Sequence, residues 1–206
     1  MKVLLINGSP HQKGCTYTAL AEVAKELEAQ GVDSEIFWIG SAPVGGCIGC
    51  GGCAGKGACA FGGPVNQAIE LAKTADAIIL GSPVHYASAA GSATGFFDRL
   101  FYAGGAALRF KPGAAGASAR RAGTTATLDQ LNKYFTINNM PLVGSQYWNM
   151  VHGSKPEDVL QDAEGMQTLR QLARNMAWLL KSIQAGRAAG LALPAQEERV
   201  RTNFIR

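Results

Sequence analysis

The chain opens on a short apolar run, Met1 to Asn7, that stops abruptly at Gly8-Ser9-Pro10-His11-Gln12-Lys13-Gly14-Cys15-Thr16. An apolar run closed by Gly, Ser and Pro and followed by a helical pattern is a buried strand feeding a turn and a helix. Tyr17 to Gln30 supplies the helix, with Leu20, Val23, Ala24 and Leu27 on one face and Gly31 at its end. The alternation recurs. Val32 to Ile39 reads as a second strand, Pro64 to Thr74 as a helix, and Ala75 to Ser82 as a wholly apolar third strand. Phe96, Phe97, Leu100 and Phe101 mark the next helix, Ala114 to Ala119 a fourth strand, Thr124 to Asn138 a helix, and Pro141 to Trp148 a fifth strand. Strands alternating with helices at this spacing build a parallel sheet with right-handed crossovers, covered on both faces. The fold expected is therefore α/β: a doubly wound five-stranded parallel sheet of order 2-1-3-4-5, with the first strand central.

Ser154 with Glu157 predicts a capping box for a last helix, whose buried stripe is Val159, Ala163, Met166, Leu169, Leu172, Met176 and Leu179. After Ile183 the periodicity fails. The expectation is one domain over residues 1–183 and a tail over 184–206, since no Ser/Pro or charge-rich linker divides the 206 residues.

Ligands of such a sheet sit beyond the carboxyl ends of its strands. Three loops should converge there: Gly8 to Thr16, Pro83 to Ser88, and Ser118 to Thr124. The first N–H groups of a helix lack partners within it and carry the positive end of its dipole, which suits the first loop to a phosphate. Ser9, His11, Gly14, Cys15 and Thr16 are its candidates. The loop has neither the Lys-Ser/Thr ending of a Walker A motif nor the three spaced glycines of a dinucleotide fingerprint, so a mononucleotide such as FMN fits better. A plain tight turn is the alternative. Pro83, Val84, His85 and Tyr86 offer backbone amides and an aromatic face to a flat ring, or else form an ordinary rim. Ser118, Arg120, Arg121 and Gly123 offer hydrogen bonds and positive charge, which favours an anionic reduced flavin.

Between Gly45 and Gly63 lie nine glycines, four cysteines and no acidic residue. The spacing of Cys47, Cys50, Cys53 and Cys59 brings four thiolates round one small volume, and the glycines let the backbone wrap closely. A cluster, a zinc ion or free thiols all remain open, with the compact triplet plus one less like the paired knuckles of structural zinc. Five cysteines in all argue against a disulfide framework.

Gly8 to Thr16, Gly81-Ser82-Pro83-Val84-His85-Tyr86 and Asn139-Met140-Pro141-Leu142-Val143 resemble the flavodoxin-like NAD(P)H-dependent FMN reductases, over Met1 to about Ile183. The cysteine block resembles that of the iron-sulfur flavoproteins, in which a compact motif holds a [4Fe-4S] cluster near FMN. The chain departs from the flavin-binding pattern of these relatives at Cys15, where Asn or Ser is frequent, and at His85, where an aromatic is common. The resemblance implies an enzyme in which NAD(P)H reduces FMN and electrons pass to a quinone, free flavin, azo or nitro compound or an iron centre, in a homodimer or homotetramer. A non-enzymatic electron carrier is the alternative. Such carriers tend to be strongly acidic, whereas this chain has a net charge of +4 with Arg120 and Arg121 in its third loop.

The basic residues are scattered, so nucleic acid is not an expected partner. With no apolar run near 18 residues and no leader pattern after Met1, neither a membrane nor secretion is expected, and the cytoplasm is the expected location.

Overall fold

The computed structural model describes residues 1–198, 200–202 and 204. Five parallel strands form the sheet: β1 (Lys2–Asn7), β2 (Asp33–Trp38), β3 (Ala77–His85), β5 (Gly113–Ala119) and β6 (Met150–His152). Their order is β2-β1-β3-β5-β6. Counted along the chain, that is the expected 2-1-3-4-5. A two-residue strand, β4 (Ser88–Ala89), folds back antiparallel onto the end of β3.

Side chains alternate across the strands and divide the core in two. Leu4 and Ile6 of β1, with Ile78 and Leu80 of β3, face α2 (Pro64–Thr74), α3 (Gly91–Gly104) and α4 (Thr124–Ile137). Val3 and Leu5, with Ala77 and Ile79, face α1 (Cys15–Ala29), α5 (Pro156–Gln161) and α6 (Ala163–Ala188). Period-two alternation with apolar residues at every position is what places helices on both faces. Small residues in β5 serve the same packing, because a Cβ on Gly113 would lie 2.4 Å from the Phe135 ring.

The last strand departs from the sequence reading. Pro141 to Trp148 carries only an isolated bridge, Gly113 to Leu142, and the fifth parallel strand is Met150–His152. Leu142, Tyr147 and Trp148 in the expected strand are exposed, so that run has no second layer against which to bury. The last helix is also divided. Asp162 ends α5 and caps α6, its Oδ1 accepting from the Gly165 N–H at 3.0 Å and its Oδ2 from the His152 N–H at 2.7 Å. Asp158, rather than Glu157, accepts from the Ser154 and Lys155 amides ahead of α5. Ala163 is therefore exposed in the first turn of α6 instead of joining the buried stripe. The helix itself runs to Ala188, five residues past the expected boundary at Ile183. In the tail Phe204 is exposed, and Ile205 lies outside the described residues. Among the described residues no helix is long and apolar enough to cross a membrane.

Candidate functional site

The loop between β1 and α1 is shaped by side chains the sequence reading did not single out. Asn7, fully buried at the end of β1, donates from Nδ2 to the Gln12 carbonyl at 3.0 Å and accepts from the Ser9 N–H at 3.1 Å. Trp38 Nε1 donates to the Ser9 carbonyl at 2.8 Å, and Ser9 Oγ accepts from the His11 N–H at 3.1 Å. A polar residue closing an apolar strand was the available signal for Asn7. Gly8 lets this loop touch β3: its N–H donates to the Gly81 carbonyl at 2.9 Å, and a Cβ there would meet that oxygen at 2.7 Å.

The helix beyond begins at Cys15, with Gly14 at its cap and no side chain accepting from its first amides. Those donors therefore face outward at the positive end of the helix dipole. Thr16 is buried, and its hydroxyl lies 2.8 Å from that of Ser118 at the end of β5. This pair ties the first loop to the third.

The second loop turns sharply. Tyr86 and Ala87 take the left-handed conformation, with φ of 50° and 58°, in the hairpin between β3 and β4. Gly123, at φ 94°, lies so close that a Cβ would come within 2.5 Å of Ala87 Cα. Only glycine fits there, and the second and third loops meet through it.

Ser9, His11, Cys15, Thr16, Pro83, Val84, His85, Ser118 and Arg120 line one cleft of about 270 Å³ beyond the strand ends. Ala119, Gly153 and Ser154 complete it; the last two follow β6, whose misplacement hid them. Gly14 lines an adjoining open bay with Lys13, Trp38 and Lys155. Tyr86, Arg121 and Gly123 lie outside the cleft lining: Tyr86 projects fully into solvent, and the Arg121 carbonyl contacts His152 Nε2 at 3.0 Å. Among the described residues no acidic side chain lines the cleft or the bay. Uncapped helix amides, hydroxyls and cations without a carboxylate are a donor set that fits a phosphate monoester. Burial pushes the Cys15 thiol up, its own amide working against the shift and the charges of Asp158 and Glu157 adding to it; Cys15 Sγ lies 3.7 Å from the Gly153 carbonyl.

A second pocket, of about 150 Å³, is lined by Cys47, Cys50, Cys53 and Cys59 with Ile48, Phe61, Arg99 and Tyr102 among their neighbours. Six glycines of this loop adopt positive φ. Cys47 and Cys50 are exposed, Cys53 and Cys59 half-buried, and all are free thiols. Among the described residues, no three His, Cys, Asp or Glu side chains converge on a single ion position. Four cysteines round one apolar pocket are donors that either a [4Fe-4S] cluster or a zinc ion would take. Burial opposes ionisation of Cys59, but hydrogen bonds from Arg99 and the Phe61 amide, with the Arg99 charge, outweigh it and hold the thiol below its ordinary range.

A parallel sheet of this order, with its ligand cleft where the chain switches direction at β1 and β3, defines a flavodoxin-like protein. An archaeal flavodoxin of solved structure shares the fold, with a TM-score of 0.62 at 16% identity over 88% of this chain and 99% of that one. The chain belongs to the NADPH-dependent FMN reductase family, which matches residues 1–155. It is similar to an iron-sulfur flavoprotein of Methanocaldococcus jannaschii, 31% identical over 89% of this chain and 100% of the relative. An iron-sulfur flavoprotein of Methanosarcina thermophila is 29% identical over 91% of this chain and 99% of the relative. The chain is thus of a flavin oxidoreductase family.

Proposed function

We propose that the protein is an FMN-dependent NAD(P)H oxidoreductase that reduces a small acceptor of the quinone or flavin kind. One observation carries this reading: three loops from separate strand ends meet in a single cleft that holds uncapped helix amides and Arg120 but no acidic side chain. FMN, when bound, supplies hydride acceptance and the release of electrons in one- or two-electron steps. The residues of the chain bind and orient it. The first amides of α1, with Ser9 and Thr16, hold the phosphate; Pro83, Val84 and His85 lie against the ring; Arg120 brings positive charge to the cleft. The absence of acids is the feature that favours an enzyme over a carrier, since carboxylates round a flavin disfavour its reduced anion.

In this reading Cys47, Cys50, Cys53 and Cys59 hold a [4Fe-4S] cluster, which supplies one-electron transfer. The four-cysteine pocket and the names of the curated relatives support it. The chain assembles as a homodimer or homotetramer in the cytoplasm, Tyr147 and Trp148 forming part of a subunit contact; their exposed rings meet edge to face at 4.8 Å. Light scattering that gives a monomer of full activity would remove the assembly.

Anaerobic titration of the FMN-loaded protein with NADPH and with NADH tests the function. Direct bleaching of the flavin absorbance by either nucleotide is expected. A flavin that neither nucleotide reduces, but that a reduced protein partner does, would make the chain a carrier instead.

A further inference from the structure

Arg99, on the exposed side of α3, sits at the base of the cysteine loop and touches it at four points. Its Nη2 donates to the Gly62 carbonyl at 3.0 Å, its Nη1 to the Gly45 carbonyl at 3.5 Å, and its Nε to Cys59 Sγ at 3.3 Å. Its guanidinium lies 5.9 Å from the centre of the Phe61 ring. Gly45 and Gly62 are close to the two ends of the loop, so one side chain joins its entry to its exit. The helix is shaped to allow this. A Cβ on Gly95, one turn earlier, would come within 3.2 Å of the Val44 carbonyl and 3.3 Å of Gly46. Cys59 is also held from α2, where Asn66 accepts from its N–H at 2.8 Å and donates to its carbonyl at 3.0 Å. Arg99 forms none of the salt bridges among the described residues, and its neighbour Asp98 is engaged with the Tyr134 hydroxyl at 2.6 Å. A half-buried cation with no carboxylate partner faces the thiol and its loop instead.

We propose that Arg99 is the positioning residue of the cysteine loop: its planar fork holds the loop closed before any metal binds, and its charge acts on whatever Cys59 ligates. The second half rests on the cluster reading; the first does not. A planar guanidinium reaches three acceptors in fixed directions, whereas an ammonium carries the charge without that geometry. A positive charge beside a ligating sulfur favours the more negative, reduced state, so it raises the reduction potential.

The test uses the full chain as wild type, Arg99→Gln and Arg99→Lys, each checked for native circular dichroism. In metal-free protein, protease cleavage between Gly45 and Gly63 should be faster in Arg99→Gln by about fivefold or more, the population change that follows loss of one net hydrogen bond. Arg99→Lys should be cleaved equally fast. After anaerobic reconstitution with iron and sulfide, Arg99→Gln should show a lower cluster midpoint potential, and Arg99→Lys should recover the wild-type value. Wild-type cleavage rates in Arg99→Gln overturn the clasp, and wild-type rates in Arg99→Lys overturn the role of the fork. An unchanged potential in Arg99→Gln overturns the charge effect. A wild-type chain that takes up no iron refutes the cluster reading alone, and the cleavage rates then decide the clasp.

Discussion

The Thr16 and Ser118 hydroxyls lie 2.8 Å apart, both buried, and join the first turn of α1 to the end of β5 across the floor of the cleft. Two elements 102 residues apart in the chain are thereby held in register at the cleft. Removing either hydroxyl leaves the other buried without its partner, a loss of about 1–3 kcal/mol. Thr16→Val and Ser118→Ala should each lower the free energy of unfolding by that order, read as a lower urea midpoint. The double variant should lose less than the sum, because no orphan remains. Strict additivity in the denaturation curves would show that the two hydroxyls act independently.

Gly123 joins the second and third loops at a φ that L side chains rarely adopt, and the space its Cβ would need is occupied by the Ala87 backbone. Gly123→Ala should lose at least about 2 kcal/mol, since a left-handed conformation alone costs a non-glycine residue roughly 1–2 kcal/mol. FMN affinity should fall with it, because Val84 lines the cleft and also stands 2.8 Å from that Cβ position. Thermal melts and FMN titrations that match wild type would refute the close approach.

The two arginines of the third loop should separate. Arg120 lines the cleft, whereas Arg121 is outside it. In the FMN-loaded protein, Arg120→Ala should lower the two-electron midpoint potential, since the reduced anion loses a counter-charge, and Arg121→Ala should leave it unchanged. Spectroelectrochemical titration reads both. The reverse pattern would place Arg121 at the flavin.

Thiol reactivity should follow the thiolate fraction, and the two perturbed cysteines are shifted in opposite directions. In metal-free protein, alkylation of Cys59 should rise at lower pH than that of an ordinary thiol, and alkylation of Cys15 only at higher pH. FMN should protect Cys15 alone, because Cys15 lines the cleft and the other four cysteines do not. Mass spectrometry of peptides labelled across a pH series decides this. Equal protection of Cys15 and Cys59 by FMN would merge the two sites.

The parts of the fold legible in the sequence are those whose apolar pattern is set by burial on both faces. β1 and α2 fall within a residue of the expected Met1 to Asn7 and Pro64 to Thr74, while β3 starts two residues later than Ala75 and runs on past Ser82 to His85. The last strand was not legible, because Met150–His152 is too short to make a pattern while Pro141 to Trp148 is apolar yet mostly exposed. The break at Asp162 was hidden for a different reason: an acid one turn from Val159 is compatible with a continuous helix until its carboxylate is seen to cap α6 and bind His152. In the site, residue type located the loop ahead of α1 and the cysteine pocket. Spacing in the chain carried no sign that Tyr86 would point to solvent, or that Arg99 would reach back over the cysteines.

The proposed function depends first on FMN binding in this cleft through the start of α1. Titration of the full chain with FMN, followed by quenching of flavin fluorescence, tests it most directly, comparing wild type with the Ser9→Ala/Thr16→Ala variant. One saturable FMN per chain is expected in the wild type, and in the double variant a loss of about 1.5–3 kcal/mol for each bond to the charged phosphate removed. Absence of saturable quenching in the wild type, or equal affinity in the folded double variant, would contradict it.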